Sequence, residues 1–104
     1  MKAAEISLPS TAQAAFLIHK VGDHVAVAVQ DMRPGPALAA HLDSGGEINV
    51  DVLEDIPLAH KIALQDLAEG VAVVEYGVTI GVTRRPIKRG QLVHVHNLRS
   101  ARWK

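Results

Sequence analysis

Short apolar runs that alternate with polar or small residues, cut every few positions by glycine, proline or a polar turn, constrain this chain more than any other feature. HVAVAVQD, His24 to Asp31, puts Val25, Val27 and Val29 on one face and alanines with His24 on the other. That is the period of two imposed by an extended strand. Alanine on the second face predicts close cover instead of open water. INVDVLED repeats the pattern, with Ile48, Val50 and Val52 on one side and Asn49 and Asp51 opposite. AAFLIHK (14–20), KIALQDL (61–67), VAVVEYG (71–77), VTIGVT (78–83) and QLVHVH (91–96) read as further short strands. VGD, IPLAHK, AEG and RRPIKRG supply the turns between them, and Pro57 cannot donate to a ladder. RPGP then ALAAHLDSGG, residues 33–46, predicts an irregular or short helical insertion. His41 within it reads as a surface residue. With no long amphipathic helix after Gly46 and no internal repeat, the pattern predicts a compact all-β domain.

A chain of 104 residues predicts one domain with a thin core. Residues 1–12 are small and polar and read as a flexible leader, which leaves 13–104 for the domain. Only Phe16, Tyr76 and Trp103 are aromatic, so valine, isoleucine, leucine and alanine must fill the interior. Formal net charge is zero, which argues against a dedicated nucleic-acid binder. There is no cysteine, hence no disulfide and no thiolate metal ligand. No apolar run reaches the roughly 18 residues of a membrane-spanning helix. Glu5, Pro9 and Ser10 interrupt the N-terminal stretch, which therefore does not read as a signal peptide. A cytoplasmic protein is expected.

Histidine carries most of the chemical promise. His94 and His96 stand two apart, so on a strand they would share a face. A same-face pair can share a metal or flank an anion; it is also what a solvated strand edge looks like. Asn97 follows directly. His19 and His24 bracket the KVGD turn, and His60 lies beside Lys61 in LAHK. Strand-end groups on a rigid sheet are common binding positions, but each of these residues also fits a turn-shaping role. Ser7, Ser10, Ser44 and Ser100 have no nucleophile-elbow context, and no phosphate-cradling glycine loop is present. The basic runs RRPIKRG and RSARWK read as solvated loop and tail, or as a surface for an acidic partner.

Three segments together carry a resemblance: LEDIPLAHKIALQDLAEG, VAVVEYGVTIGVT and the closing VHVHN. From about Phe16 to Arg99 the chain resembles the small N-terminal module of the altronate and galactarate dehydratase family. That module belongs to the SAF group and has a β-clip fold. In the family it is fused to a large catalytic domain or encoded as a separate small subunit, as in sulfolactate sulfo-lyase. One departure falls at the first hairpin. Where family members commonly read IHPEDNVAVA, this chain has IHKVGDHVAVA, which keeps His19 and Asp23 and places His24 where asparagine is usual.

The resemblance implies a lyase that removes water or sulfite from a hydroxy-carboxylate of altronate, galactarate or sulfolactate type. It implies a divalent metal, iron(II) in many members, held mainly by the large subunit. It implies that this chain docks beside that subunit and lends polar groups to a shared pocket. His60, Lys61 and His96 are the expected catalytic groups. His19, Lys61, His94 and Asn97 are the expected substrate contacts, with His94 and His96 as supplementary metal ligands. Lys61 suits a substrate carboxylate as a point cation. A non-catalytic module that captures a sugar acid or a protein edge is the alternative. Self-association through open strand edges is compatible with either.

Overall fold

The computed structural model describes residues 14–100, and every regular element in them is a strand. The expected leader, Trp103 and the end of the basic tail lie outside the described residues. Six strands form one sheet in the order β4-β3-β1-β2-β5-β8: β1 (Phe16–Ile18), β2 (Val25–Ala28), β3 (Gly35–His41), β4 (Glu47–Val52), β5 (Lys61–Ala63) and β8 (Leu92–Val93). Three more, β6 (Ala72–Glu75), β7 (Val78–Thr83) and β9 (Leu98–Ser100), form a second sheet in the order β6-β7-β9. Within these sheets only β1 and β3 pair in parallel; the other pairs are antiparallel. Among the described residues no helix is long and apolar enough to cross a membrane.

The alternation read in β2 has a cause. Ala26 and Ala28 are buried in the larger apolar cluster with Phe16, Ile18, Val50, Ile56 and Ile62. Val25 faces a second cluster with Ala63, Leu67, Val73, Ile87 and Val93. A strand covered on both sides needs small side chains on one of them, and alanine supplies that. The valine stripe fades outward instead, since Val29 is 41 % exposed. Phe16 is the bulkiest side chain of the larger cluster and is fully buried. Its truncation to alanine would cost about 3–5 kcal/mol.

Two segments that do not resemble each other in sequence form a crossed pair. Leu67 and Ile87 exchange both backbone hydrogen bonds, at 2.7 and 2.8 Å. Gly70 N–H donates to the Thr83 carbonyl and Gly90 N–H to the Ala63 carbonyl. Residues 63, 67 and 70 thus match 83, 87 and 90 at a constant offset of 20, a backbone repeat with no sequence repeat. Gly90 has φ +93°, and a Cβ there would run into the Asp51 carbonyl, so glycine is required on two counts.

Three expectations are corrected. The insertion at 33–46 is not helical or irregular: Gly35–His41 is β3, hydrogen-bonded to β4 from Gly35↔Val52 to Ala40↔Glu47. Alanine favours helix by intrinsic propensity. Here burial of Ala39 and Ala40 beside β1 overrides that preference. His41 is half-buried at the end of β3, with its Nδ1 enclosed, and is not a free surface residue. Finally, β8 stops at Val93, and 94–97 form a turn, so His94 and His96 do not share a strand face. Asn97 ends the strand early by offering its amide to the backbone.

Candidate functional site

The β6–β7 hairpin closes with a two-residue turn, Tyr76-Gly77, at φ +59° and +74°. Positive φ at both central residues is the type I′ geometry that suits the twist of a hairpin. Glycine adopts it freely; tyrosine does so only under constraint. The constraint is Asp23, which is buried. Its carboxylate accepts the N–H groups of Tyr76 (2.9 Å), Gly77 (3.2 Å) and Lys20 (3.2 Å). The first hairpin therefore clamps the tip of the second. His24 adds a seam nearby: its N–H donates to the Val74 carbonyl, and its Nδ1 accepts the Val74 N–H at 3.0 Å. His24 is thereby occupied in joining the two sheets.

The clamp holds Tyr76 against His19, ring on ring, with centroids 4.0 Å apart and planes within 12°. Glu75, immediately before Tyr76, is only 8 % exposed. Its two oxygens face two cationic or titratable groups: Oε2 lies 3.6 Å from His19 Nε2, and Oε1 lies 3.8 Å from Lys61 Nζ. His19 from the end of β1, Lys61 from the start of β5 and Glu75 from β6 thus converge. A carboxylate, an imidazole and an ammonium brought together from three parts of the chain make this a candidate functional site.

His60 precedes Lys61 and follows Ala59, which stands at φ +71°. Ala59 and Tyr76 are the two non-glycine residues with left-handed backbone among the described residues, and each adjoins a candidate group. His60 Nδ1 contacts the Leu58 carbonyl at 3.2 Å, so Nδ1 carries the hydrogen and donates it. In the neutral ring that leaves Nε2 as a bare lone pair. The His94 ring lies 4.9 Å from that of His60, tilted by 56°. His94 also lines a cleft of about 320 Å³ together with Arg84, Val95, Leu98, Arg99 and Ser100.

The expected site residues therefore divide. His19 and Lys61 meet at Glu75, and His60 meets His94. His96 is exposed in the 94–97 turn, with no bond or ring contact to the described residues. Asn97 is buried, and both ends of its amide serve the turn: Oδ1 accepts the His94 N–H at 2.9 Å, and Nδ2 donates to the Leu92 carbonyl at 2.7 Å. No set of three or more histidine, aspartate or glutamate side chains among the described residues could hold a metal ion. The donor set of the described residues does not fit a metal centre of its own.

Sequence reasoning missed Glu75, Tyr76 and Asp23 as candidate site residues, and it read Arg84 and Arg99 as members of basic runs without placing them beside His94. A signal for the first two was present. EYG combines a carboxylate, an aromatic ring and glycine at a hairpin tip where asparagine-glycine is the ordinary pair.

With the geometry in view, relatives can be set beside it. A family model described as the altronate/galactarate dehydratase SAF domain matches residues 14–101. The (2R)-sulfolactate sulfo-lyase subunit alpha of Chromohalobacter salexigens is 37 % identical over 90 residues, covering 85 % of this chain and 96 % of that subunit. The altronate dehydratase of Bacillus subtilis is 37 % identical over 83 residues, covering 80 % of this chain but 16 % of that enzyme. The altronate dehydratase of Escherichia coli is 36 % identical over 78 residues, 15 % of its own length. A domain of this kind thus makes up nearly a whole subunit in one relative and about a sixth of the chain in the others. This chain belongs to the altronate/galactarate dehydratase SAF-domain family.

Proposed function

We propose that this protein is the small subunit of a lyase that eliminates water or sulfite from a hydroxy-carboxylate. In this reading it docks on a large subunit and completes an active site that neither chain forms alone. The observation that carries it is the convergence of Lys61 and His19 on one buried carboxylate beside a left-handed tyrosine. Backbone strain persists only where the surroundings enforce it, and it clusters at functional positions. The match over nearly the full length of a sulfo-lyase alpha subunit supports a subunit in preference to a free-standing domain.

The roles follow from chemistry. Lys61, with a third of its side chain exposed, presents an ammonium to a substrate carboxylate. His60, with its Nε2 lone pair free, suits the proton lost α to that carboxylate. His94, beside Arg84 and Arg99, favours an anion in the cleft. His96, exposed one turn residue away, reaches the partner or substrate. Asn97 acts by shaping the turn that presents both. The divalent metal that the family implies, iron(II) or another, would belong to the large subunit and would stabilise developing negative charge there. Altronate, galactarate and sulfolactate are the substrates to try first.

The test is reconstitution with the large subunit and an elimination assay on those three acids. Lys61→Ala should lower kcat/KM by about 10- to 100-fold, the worth of one charge-assisted contact, with the complex intact by size-exclusion chromatography. Full activity in that variant would remove Lys61 from the site. The basic cleft around His94 favours a second reading, a module that captures a sugar acid without chemistry. Tight binding of a hydroxy acid by the chain alone, with no activity gained on adding the large subunit, would select it.

A further inference from the structure

Glu75 carries no assigned chemical step, yet it contacts two of the candidate groups, His19 and Lys61. It lies where the small sheet meets the large one, 8 % exposed. No backbone N–H donates to its carboxylate among the described residues; its neighbours are His19 Nε2 at 3.6 Å and Lys61 Nζ at 3.8 Å, one for each oxygen. A buried carboxylate without N–H donors depends on such neighbours. The dependence also runs the other way. His19 Nδ1 is buried with no hydrogen-bond partner among the described residues, so the polar contact that orients the ring there is Glu75, with the Tyr76 stack against its face. Lys61 has a flexible four-carbon stem, and Glu75 is its polar contact within the described residues.

We propose that Glu75 is the positioning residue of this site: its carboxylate holds the Lys61 ammonium and the His19 imidazole in register across β1, β5 and β6. The proposal rests on the reading of Lys61 and His19 as substrate-facing groups only for its effect on turnover. The positioning itself can be tested in the full chain without a partner. Asp23 secures the other side by fixing the Tyr76 turn, so the His19 ring is caught between a clamped aromatic face and one carboxylate.

The experiment compares native chain with Glu75→Gln and Glu75→Asp. Lysine acylation by limiting reagent, read by mass spectrometry, should run severalfold faster at Lys61 in Glu75→Gln. Rates at Lys20 and Lys88, both exposed, should not change. Glu75→Asp, which keeps the charge, should restore much of the protection. The His19 ring protons, shifted by the Tyr76 face in native chain, should move toward free-histidine positions in Glu75→Gln while the backbone amide spectrum elsewhere superposes. Unchanged Lys61 rate and His19 signals in a folded Glu75→Gln chain would overturn the proposal. Should that variant not fold, Lys61→Met decides instead: it must move the Glu75 carboxylate ¹³C resonance, and a resonance that stays put overturns the proposal. In the reconstituted complex, Glu75→Gln should lower kcat/KM about tenfold, with partial rescue by Glu75→Asp. Normal turnover together with altered Lys61 and His19 readouts would overturn the shared-site reading and leave the positioning role standing.

Discussion

The hairpin tip at Glu75-Tyr76-Gly77 and the turn at His94–Asn97 both present imidazole chemistry, but they are built differently. At the tip, a buried aspartate clamps two N–H groups, a tyrosine is held left-handed, and a second buried carboxylate faces His19 and Lys61. At the turn, the only buried polar side chain is Asn97, and it serves the backbone; His94 and His96 stand in solvent. The tip is ordered by side chains brought from distant parts of the chain; the turn is ordered chiefly by Asn97 within it, with the Arg84 N–H donating to the Asn97 carbonyl from outside. A site that must hold a charged substrate in register gains from the first kind of support, because the geometry is set before the substrate arrives.

Breaking the clamp should have the largest effect. Asp23→Ala removes three hydrogen bonds and leaves three N–H donors without their acceptor and a left-handed tyrosine without support. A loss of about 2–4 kcal/mol is expected in urea unfolding. A loss under about 0.5 kcal/mol would mean that the tip needs no clamp. Asn97→Ala comes next, at about 1–3 kcal/mol, from two lost bonds to its own turn. His94 should then lose its place beside the His60 ring, visible as the disappearance of ring cross-peaks between them. If the cross-peaks survive, the turn is held by something other than Asn97. His96→Ala should change stability by less than about 0.5 kcal/mol, as an exposed residue without contacts does. Any large effect must therefore appear in turnover of the complex, which sharpens the contrast with the tip.

The smallest effect is expected at Asp43. The Val21 N–H donates to its carboxylate at 2.9 Å and, as the largest cause, holds its pKa below the ordinary aspartate range. A depressed folded pKa stabilises the fold above the unfolded value of about 3.9. That contribution is lost as pH falls through the lower folded value. The difference in urea midpoint between native chain and Asp43→Asn should accordingly be small and constant above about pH 5. It should shrink toward zero in stronger acid. A difference that persists there would point to the loop itself instead of the charge.

Much of the architecture was legible in the chain. Period-two alternation in 25–29 and 48–52, and glycines at 70, 77 and 90, placed strands and turns because those signals depend on backbone sterics alone. The helical or irregular expectation at 33–46 failed because ALAAH carries a local preference, and the partner that overrides it, β1, lies some twenty residues away. The candidate site was half legible. His19, His60, Lys61 and His94 stand out as residue types in short motifs. Glu75 does not, since a lone glutamate before a hairpin tip reads as an exposed strand residue until the fold is known to bring it beside His19 and Lys61.

By itself, then, the sequence determined the class of fold, the positions of its tight turns and the set of side chains able to carry charge or protons. These are local properties, fixed by φ/ψ preference and by alternation of faces. Only the tertiary structure decided which of those side chains meet: His19 with Glu75 and Lys61 across 56 and 42 residues of chain, His60 with His94, and His96 with neither. Such meetings depend on strand order and on the crossing of two sheets. Strand order is set by burial of the whole core at once, and no short stretch of residues encodes it.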